Sequence, residues 1–277
     1  MTITRSAREA RAMGTYVFDQ TWERERDRLA ALEDLYDGPS LHRLAALGVS
    51  AGWRCLEVGC GAGSVARWLA GRVGPTGHVL ATDTDPRFAE GHGLANLDVR
   101  RHDVLVDPLE PATHDLVHAR AVLEHIPQRG QALERMVAAT RPGGWVVVED
   151  FDIGGPMTLA TARYYPPEHT GLAERLGRAL ERLFADSGVD AGLGQRLPAM
   201  LTDAGLVDVA AEIHAPVLPG GVQGFFPLTL RRLRPRLVAT GLLDDGEVDL
   251  VLDLLDQPAF RYVPNFMVIA WGRRPPG

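Results

Sequence analysis

The chain has 277 residues, 45% hydrophobic and 23% charged, with 29 Lys and Arg against 36 Asp and Glu for a formal charge of −7. That length buries roughly three-quarters of the unfolded surface, room for one large core with an appended lid. The acidic balance argues against nucleic acid or anionic membrane as a partner. No apolar run approaches the roughly 20 residues that span a bilayer. The start of the chain lacks the apolar segment of a secretion signal. Cys55 and Cys60 are the two cysteines, too few for a disulfide framework or a structural zinc site. A cytoplasmic protein is expected.

The spacing of Trp22, Leu29, Leu32 and Tyr36 predicts an amphipathic helix over 21–36. Asp37-Gly38-Pro39 interrupts it, and a shorter helix is expected over 40–47, stopped by Gly48. The period then changes: 54–58 reads as a buried strand, followed by a glycine-rich turn and a helix over 64–73. Further strands are expected at 78–82, 97–102, 115–119 and 145–149, with a helix over 131–140 closed by Arg141-Pro142-Gly143-Gly144. Strands alternating with helices over about 100 residues predict a parallel sheet covered on both faces.

After Asp152 the rhythm loosens. Gly154-Gly155-Pro156 and Tyr164-Tyr165-Pro166-Pro167 read as loops, 168–186 and 195–204 as helices, and 207–213 as a strand. Residues 222–255 look mostly helical, and 265–271 close as an apolar strand. The expected organisation is an N-terminal helical lid segment (1–50), a core (51–152), and the remainder of the sheet carrying helical lid insertions (153–277).

The chemistry concentrates in Glu57-Val58-Gly59-Cys60-Gly61-Ala62-Gly63-Ser64, between a strand and a helix. Glycines there let the backbone turn sharply and approach a ligand closely. A dinucleotide fingerprint needs G-x-G-x-x-G/A. Counting from Gly59, the sixth position is Ser64, and the third glycine falls one place early. Glu57 suits a positively charged ligand better than a pyrophosphate. The next strand ends at Asp83-Thr84, where a carboxylate can accept from both ribose hydroxyls. Asp103 can accept from an exocyclic adenine amine while the Val104 amide donates to a ring nitrogen. His118-Ala119-Arg120 offers strand-end carbonyls to an ammonium. Together these groups specify an adenosine with a cationic, phosphate-free tail: S-adenosyl-L-methionine (SAM).

LEVGCGAGSV, VLATDTDP, RRHDV, HDLVHARAVLEHIP and RPGGWVVVED, in that order, resemble the motifs of class I SAM-dependent methyltransferases of the type acting on small molecules. The likeness is dense over 53–150. It implies an α/β, Rossmann-like, seven-stranded and mostly parallel sheet whose last strand is antiparallel, with helices on both faces. It also implies that Glu57, Gly59, Cys60, Gly61 and Gly63 form the first cofactor motif. Asp83 and Thr84 would hold ribose, Asp103 and Val104 adenine, and Ala119 and Arg120 would sit beside the methionine moiety. In related enzymes the N-terminal segment closes over the cofactor, which makes Tyr16 and Trp22 lid candidates.

Methyl transfer from a sulfonium is an in-line displacement in which alignment and dry confinement supply most of the acceleration. No metal is expected. His125, just past the fourth strand, is the candidate base; its ordinary reading is a residue that shapes the loop. His118 reads as part of the strand. Tyr164, Tyr165, His169 and Phe225 are expected walls of an acceptor pocket, the ordinary reading being core packing. The arginines at 231, 232, 234 and 236 read as a solvated helix face. The expected partners are a small-molecule substrate and a second copy in a homodimer. Open alternatives are a SAM-binding enzyme that cyclises or rearranges its substrate, a nucleic-acid methyltransferase (disfavoured by the lack of a D/N-P-P-Y/F/W element after the fourth strand) and a non-catalytic SAM-binding protein.

Overall fold

The computed structural model describes residues 24–277. The first helix, α1, runs unbroken over Glu25–Ala46 with Pro39 inside it, where a break had been expected. An interior proline forfeits one helical hydrogen bond and costs about 3 kcal/mol. The buried stripe Tyr36, Ser40 and Leu44 carries the helix across that point. The Ser40 hydroxyl lies 2.8 Å from the Tyr36 carbonyl and 2.6 Å from Glu149 Oε2 of the sheet. Tertiary packing overrides the local signal.

The strands are β1 (Arg54–Val58), β2 (His78–Asp83), β3 (Leu97–Arg101), β4 (His114–Arg120), β5 (Thr140–Asp152), β6 (Val207–His214) and β9 (Phe266–Arg273), with β7 (Leu218–Pro219) and β8 (Arg261–Tyr262) forming a separate short ribbon. The sheet order is β3-β2-β1-β4-β5-β9-β6. Strands β1 to β5 are parallel, and β9 runs antiparallel to both of its neighbours. The order reverses between β1 and β4, and a crevice opens where successive connections leave a parallel sheet in opposite directions.

Helix α2 (Ser64–Val73) packs with α1 on one face, through Leu44, Val65, Leu69 and Val79. Helices α3 (Arg129–Ala139) and α6 (Leu197–Asp203) cover the other, through Leu56, Val117, Met136 and Leu201. Helix α3 stops one residue before the expected end, because Thr140 already pairs with His114 as the first residue of β5.

A third core lies outside the seven-stranded sheet. It joins α4 (Pro156–Ala162), α5 (Thr170–Asp186), α7 (Phe225–Ala239) and α8 (Asp245–Leu255) through residues such as Leu176, Leu180, Leu230, Leu237 and Val251. Of Gly154-Gly155-Pro156, expected to be a loop, the two glycines stay outside the helix and Pro156 opens α4. Proline at the first helical position loses no hydrogen bond, since that N–H has no helical partner. A capping box opens α8, with Asp244 accepting from the Glu247 N–H and Glu247 accepting in return. No helix among the described residues is long and apolar enough to cross a membrane.

Candidate active site

A cavity of about 490 Å³ opens at the carboxyl ends of β1, β2 and β4, between the sheet and the helical insertions. Its floor is the glycine turn. Gly59 has φ +69°, and a Cβ there would fall 2.3 Å from Val122 Cγ2, so neither the conformation nor the space admits a side chain. The Gly59 and Cys60 N–H groups both donate to the Thr82 carbonyl, at 2.8 and 2.9 Å. Asp83 closes the turn: its Oδ2 accepts from the Gly61 N–H at 3.0 Å and its Oδ1 from the Asp85 N–H at 2.9 Å. Burial pushes the Asp83 carboxyl up, and these N–H donors pull it partly back. Asp103 Oδ1 accepts from the Leu105 N–H at 2.9 Å.

Beneath the floor runs a chain of buried charges. His118 on β4 is fully buried, with Nδ1 2.7 Å from Glu57 Oε2 and Nε2 2.9 Å from Glu149 Oε1. Desolvation pushes the imidazole down, but the two carboxylates outweigh it and hold its pKa up at about 10. His118 is therefore an imidazolium donating from both nitrogens. Burial raises the Glu57 carboxyl despite the imidazolium. Burial also works on Glu149, but hydrogen bonding to His118 overcomes it and leaves that group lowered. Arg120, two residues along β4, extends the chain to α1: it donates to Ser40 Oγ at 3.0 Å and Asp37 Oδ1 at 2.8 Å. Sheet and N-terminal helix are thus joined by hydrogen-bonded ions.

A second acidic pair stands at the mouth of β4 and β5. Glu124 is buried and lines the cavity; its Oε2 accepts from the Phe151 N–H at 3.3 Å, and its own N–H donates to Asp150 Oδ1 at 3.3 Å. Burial and then the neighbouring Asp150 push the Glu124 carboxyl well up, while burial holds Asp150 up at about 8. Two carboxyls so placed cannot both be charged cheaply, and the pair titrates as a unit. His125 Nε2 lies 3.3 Å from Glu124 Oε1. Burial, helped by the positive charge of Arg28, depresses His125 to about 3 and keeps it neutral.

The far wall is apolar. Phe151 and Phe225 stack with centroids 5.9 Å apart and planes 15° from parallel, and Tyr36 meets both edge-on. Ile153, Phe184 and Val189 continue this wall.

Most of the expected cofactor residues converge here. Glu57, Gly59, Cys60 and Gly61 line the cavity, as do Asp83, Thr84, Asp103, Val104 and Arg120. Cys60 is buried, which pushes its thiol up, the opposite of a nucleophile's need. Gly63 instead caps α2 in the left-handed conformation, and Ala119 is buried within β4; neither lines the cavity. Tyr16 and Trp22 lie outside the described residues. Of the expected acceptor walls, Phe225 lines the cavity. Tyr164 does not and is 46% exposed, Tyr165 packs edge-on to Phe260 in the helical core outside the sheet, and His169 sits in a single turn over Pro167–His169 and does not line the cavity.

The residues missed in the sequence are Arg28, Glu124, Asp150, Thr229 and Asn265. For Glu124 and Asp150 a signal existed, since each carboxyl adjoins a motif residue in LEHIP or VVVED. The other three come from distant segments that only folding brings together. Among the described residues no group of three or more His, Cys, Asp or Glu is placed to hold a metal ion.

Residues 17–191 match the family described as "Methyltransferase domain", more than half of the chain. The chain belongs to the class I SAM-dependent methyltransferases. Among relatives of this methyltransferase, "Methyltransferase str3" of Strobilurus tenacellus is 33% identical over 135 residues, 48% of this chain and 47% of that one. A 37.1 kDa protein in transposon TN4556 of Streptomyces fradiae, described as uncharacterized, is 30% identical over 234 residues, 82% of this chain and 65% of that one. The chain thus spans about half to two thirds of the length of these relatives. In fold, it resembles phosphoethanolamine N-methyltransferase 2 of Haemonchus contortus, solved with phosphomonomethylethanolamine and S-adenosylhomocysteine. That likeness has a TM-score of 0.59 at 15% identity and covers 96% of this chain and 60% of that one. The donor set fits the family's cofactor. Glu33, Glu57, Asp83, Asp85 and Asp103 line the cavity beside two guanidiniums, Arg28 and Arg120, each already paired with a carboxylate, a balance that favours a sulfonium over a pyrophosphate.

Proposed function

We propose that the protein methylates a small, largely apolar acceptor of the secondary-metabolite kind. The carrying observation is the continuity of one cavity whose sheet side is glycine turn and carboxylates and whose lid side is aromatic and aliphatic. In this reading Asp83 takes the ribose hydroxyls, Asp103 and the Val104 amide the adenine edge, and Glu57 the ammonium, backed by His118. SAM supplies an already activated methyl group on a cationic sulfur, leaving the protein to align, dry and deprotonate.

The apolar wall excludes water from the acceptor side and fixes its approach, the contribution that alignment and confinement make in such displacements. Glu124 takes the acceptor's proton. A His125 held near 3 is too weak a base at neutral pH, whereas burial and the neighbouring Asp150 hold the Glu124 carboxyl well up, which makes its ionised form the stronger proton acceptor. In its singly charged form the pair gains a second proton readily, because burial favours the neutral state.

The test is product mass. Incubation with SAM and a panel of phenols and aliphatic alcohols is expected to yield a product heavier by one methylene unit, together with S-adenosylhomocysteine. Turnover to a rearranged product of unchanged mass, or none while SAM is bound, contradicts methyl transfer.

A further inference from the structure

Several helical serines and threonines in this protein settle their hydroxyls on the preceding turn, while Ser64 and Thr158 bond the Asp37 and Glu181 carboxylates. Ser40 sits 2.8 Å from the Tyr36 carbonyl, Ser187 at the end of α5 2.6 Å from Leu183, and Thr202 3.0 Å from Pro198, each four residues back. This local bond is the default for such residues. Thr229 in α7 breaks the pattern. It is 5% exposed, it lines the cavity one turn along from Phe225, and its Oγ1 has no hydrogen-bond partner. Asn265, just before β9, is 8% exposed and lines the same cavity. Its side-chain amide makes no hydrogen bond among the described residues. A native core rarely leaves a sealed hydroxyl unpaired, because that costs the desolvation of a polar group; the Asn265 amide keeps accessible surface on the cavity it lines. An unpaired sealed hydroxyl beside an unpaired amide on one cavity wall indicates a ligand that pairs them.

Charge narrows that ligand. On the acceptor side Arg28 is held by Glu25, at 2.9 Å from Nε and 2.7 Å from Nη2. Arg120 is held by Asp37. The remaining titratable groups there are Glu124, backed by Asp150, and the neutral His125. An anion entering this wall meets carboxyls and guanidiniums that already have partners.

We propose that Thr229 and Asn265 form the polar anchor of the acceptor subsite and select an electrically neutral, otherwise apolar acceptor by one hydroxyl or carbonyl oxygen. The hydroxyl and the amide together offer both donors and acceptors. The surrounding Phe151, Phe184, Val189 and Phe225 accept only apolar surface. A pocket built to hydrogen-bond an oxygen rejects the analogue that lacks it, since its own groups are then left unpaired. This subsite rests on the methyltransferase reading above and gives it a substrate class.

The experiment uses the full chain loaded with S-adenosylhomocysteine and three matched probes, 4-propylphenol, propylbenzene and 4-propylbenzoate, titrated by ligand-observed NMR. The phenol is expected to bind about tenfold more tightly than either other probe, one hydrogen bond's worth. Thr229→Val and Asn265→Leu should each erase most of that preference while leaving propylbenzene binding and S-adenosylhomocysteine affinity within about twofold. Circular dichroism and thermal melting confirm that both variants fold. Equal binding of phenol and propylbenzene to the loaded wild type, tighter binding of the benzoate, or a preference that survives both substitutions overturns the subsite alone. Failure of the wild type to bind S-adenosylhomocysteine at all overturns the methyltransferase reading and the subsite with it.

Discussion

The sheet and the helical insertions differ in how much buried charge they hold. Under the glycine turn, Glu57, His118, Glu149, Ser40, Arg120 and Asp37 form one hydrogen-bonded chain in which each charge has an opposite neighbour. In the insertions the core is apolar, and polar groups such as Thr229 Oγ1 and Tyr165 Oη stand unpaired. The sheet side of the cavity is built over paired charges, and the insertions supply mostly apolar surface.

The largest expected effect breaks the first half of that comparison. His118→Ala leaves two buried carboxylates facing each other with no cation between them, and removing one member of a buried ion network costs about 3–5 kcal/mol. Urea denaturation measures it. Loss of under 1 kcal/mol would mean that water or relaxation replaces the imidazolium. The pH dependence has a definite sign. His118 is held up at about 10 in the fold, so its stabilisation is fully present below the ordinary histidine value near 6.5 and drains away as pH rises through about 10.

Next comes Glu124. Glu124→Gln keeps the shape and removes the base, so kcat for a hydroxyl acceptor should fall about 10²-fold or more, with SAM affinity unchanged. Unaltered kcat would transfer the role elsewhere. Asp150 sharpens the same point through stability. Its carboxyl is held up at about 8 by burial, so the folded state keeps a proton that the unfolded chain releases from about pH 4. Stability should therefore fall between pH 4 and pH 8, and Asp150→Asn should flatten that slope in melts across the range.

The smallest effect belongs to the rim. Arg43 pairs with a partly exposed Glu212 on β6 and stacks 3.8 Å from the Trp271 ring centroid. Because solvent screens the pair, Arg43→Ala should cost about 1 kcal/mol or less, seen as a small shift in denaturation midpoint.

Legibility in the sequence followed the same division. β1 and α2 begin and end where 54–58 and 64–73 predict, because parallel strands buried on both faces carry unbroken apolar runs bounded by turn glycines. The residues around the cofactor cavity were readable because each sits at a strand end whose position the loop motif fixes. The LEHIP motif exposes Glu124 but not its raised pKa, which depends on Asp150, 26 residues away. Tyr164 and Tyr165 misled because aromatic composition cannot distinguish a cavity wall from a lid core. The break at Pro39 was misread because the contacts that hold α1 straight come from Glu149 and Arg120, far along the chain. Thr229 and Asn265 left no trace, since an unpaired hydroxyl is a property of the fold.

The most direct measurement is calorimetric titration of S-adenosylhomocysteine into the wild type and Asp83→Ala, with NAD as the control. The expected result is saturable binding to the wild type, weakened about 10- to 100-fold by loss of one or two charge-assisted hydrogen bonds, and no heat from NAD. Equal affinity in both proteins, or NAD competing for the same cavity, contradicts an adenosyl sulfonium site at the end of β2.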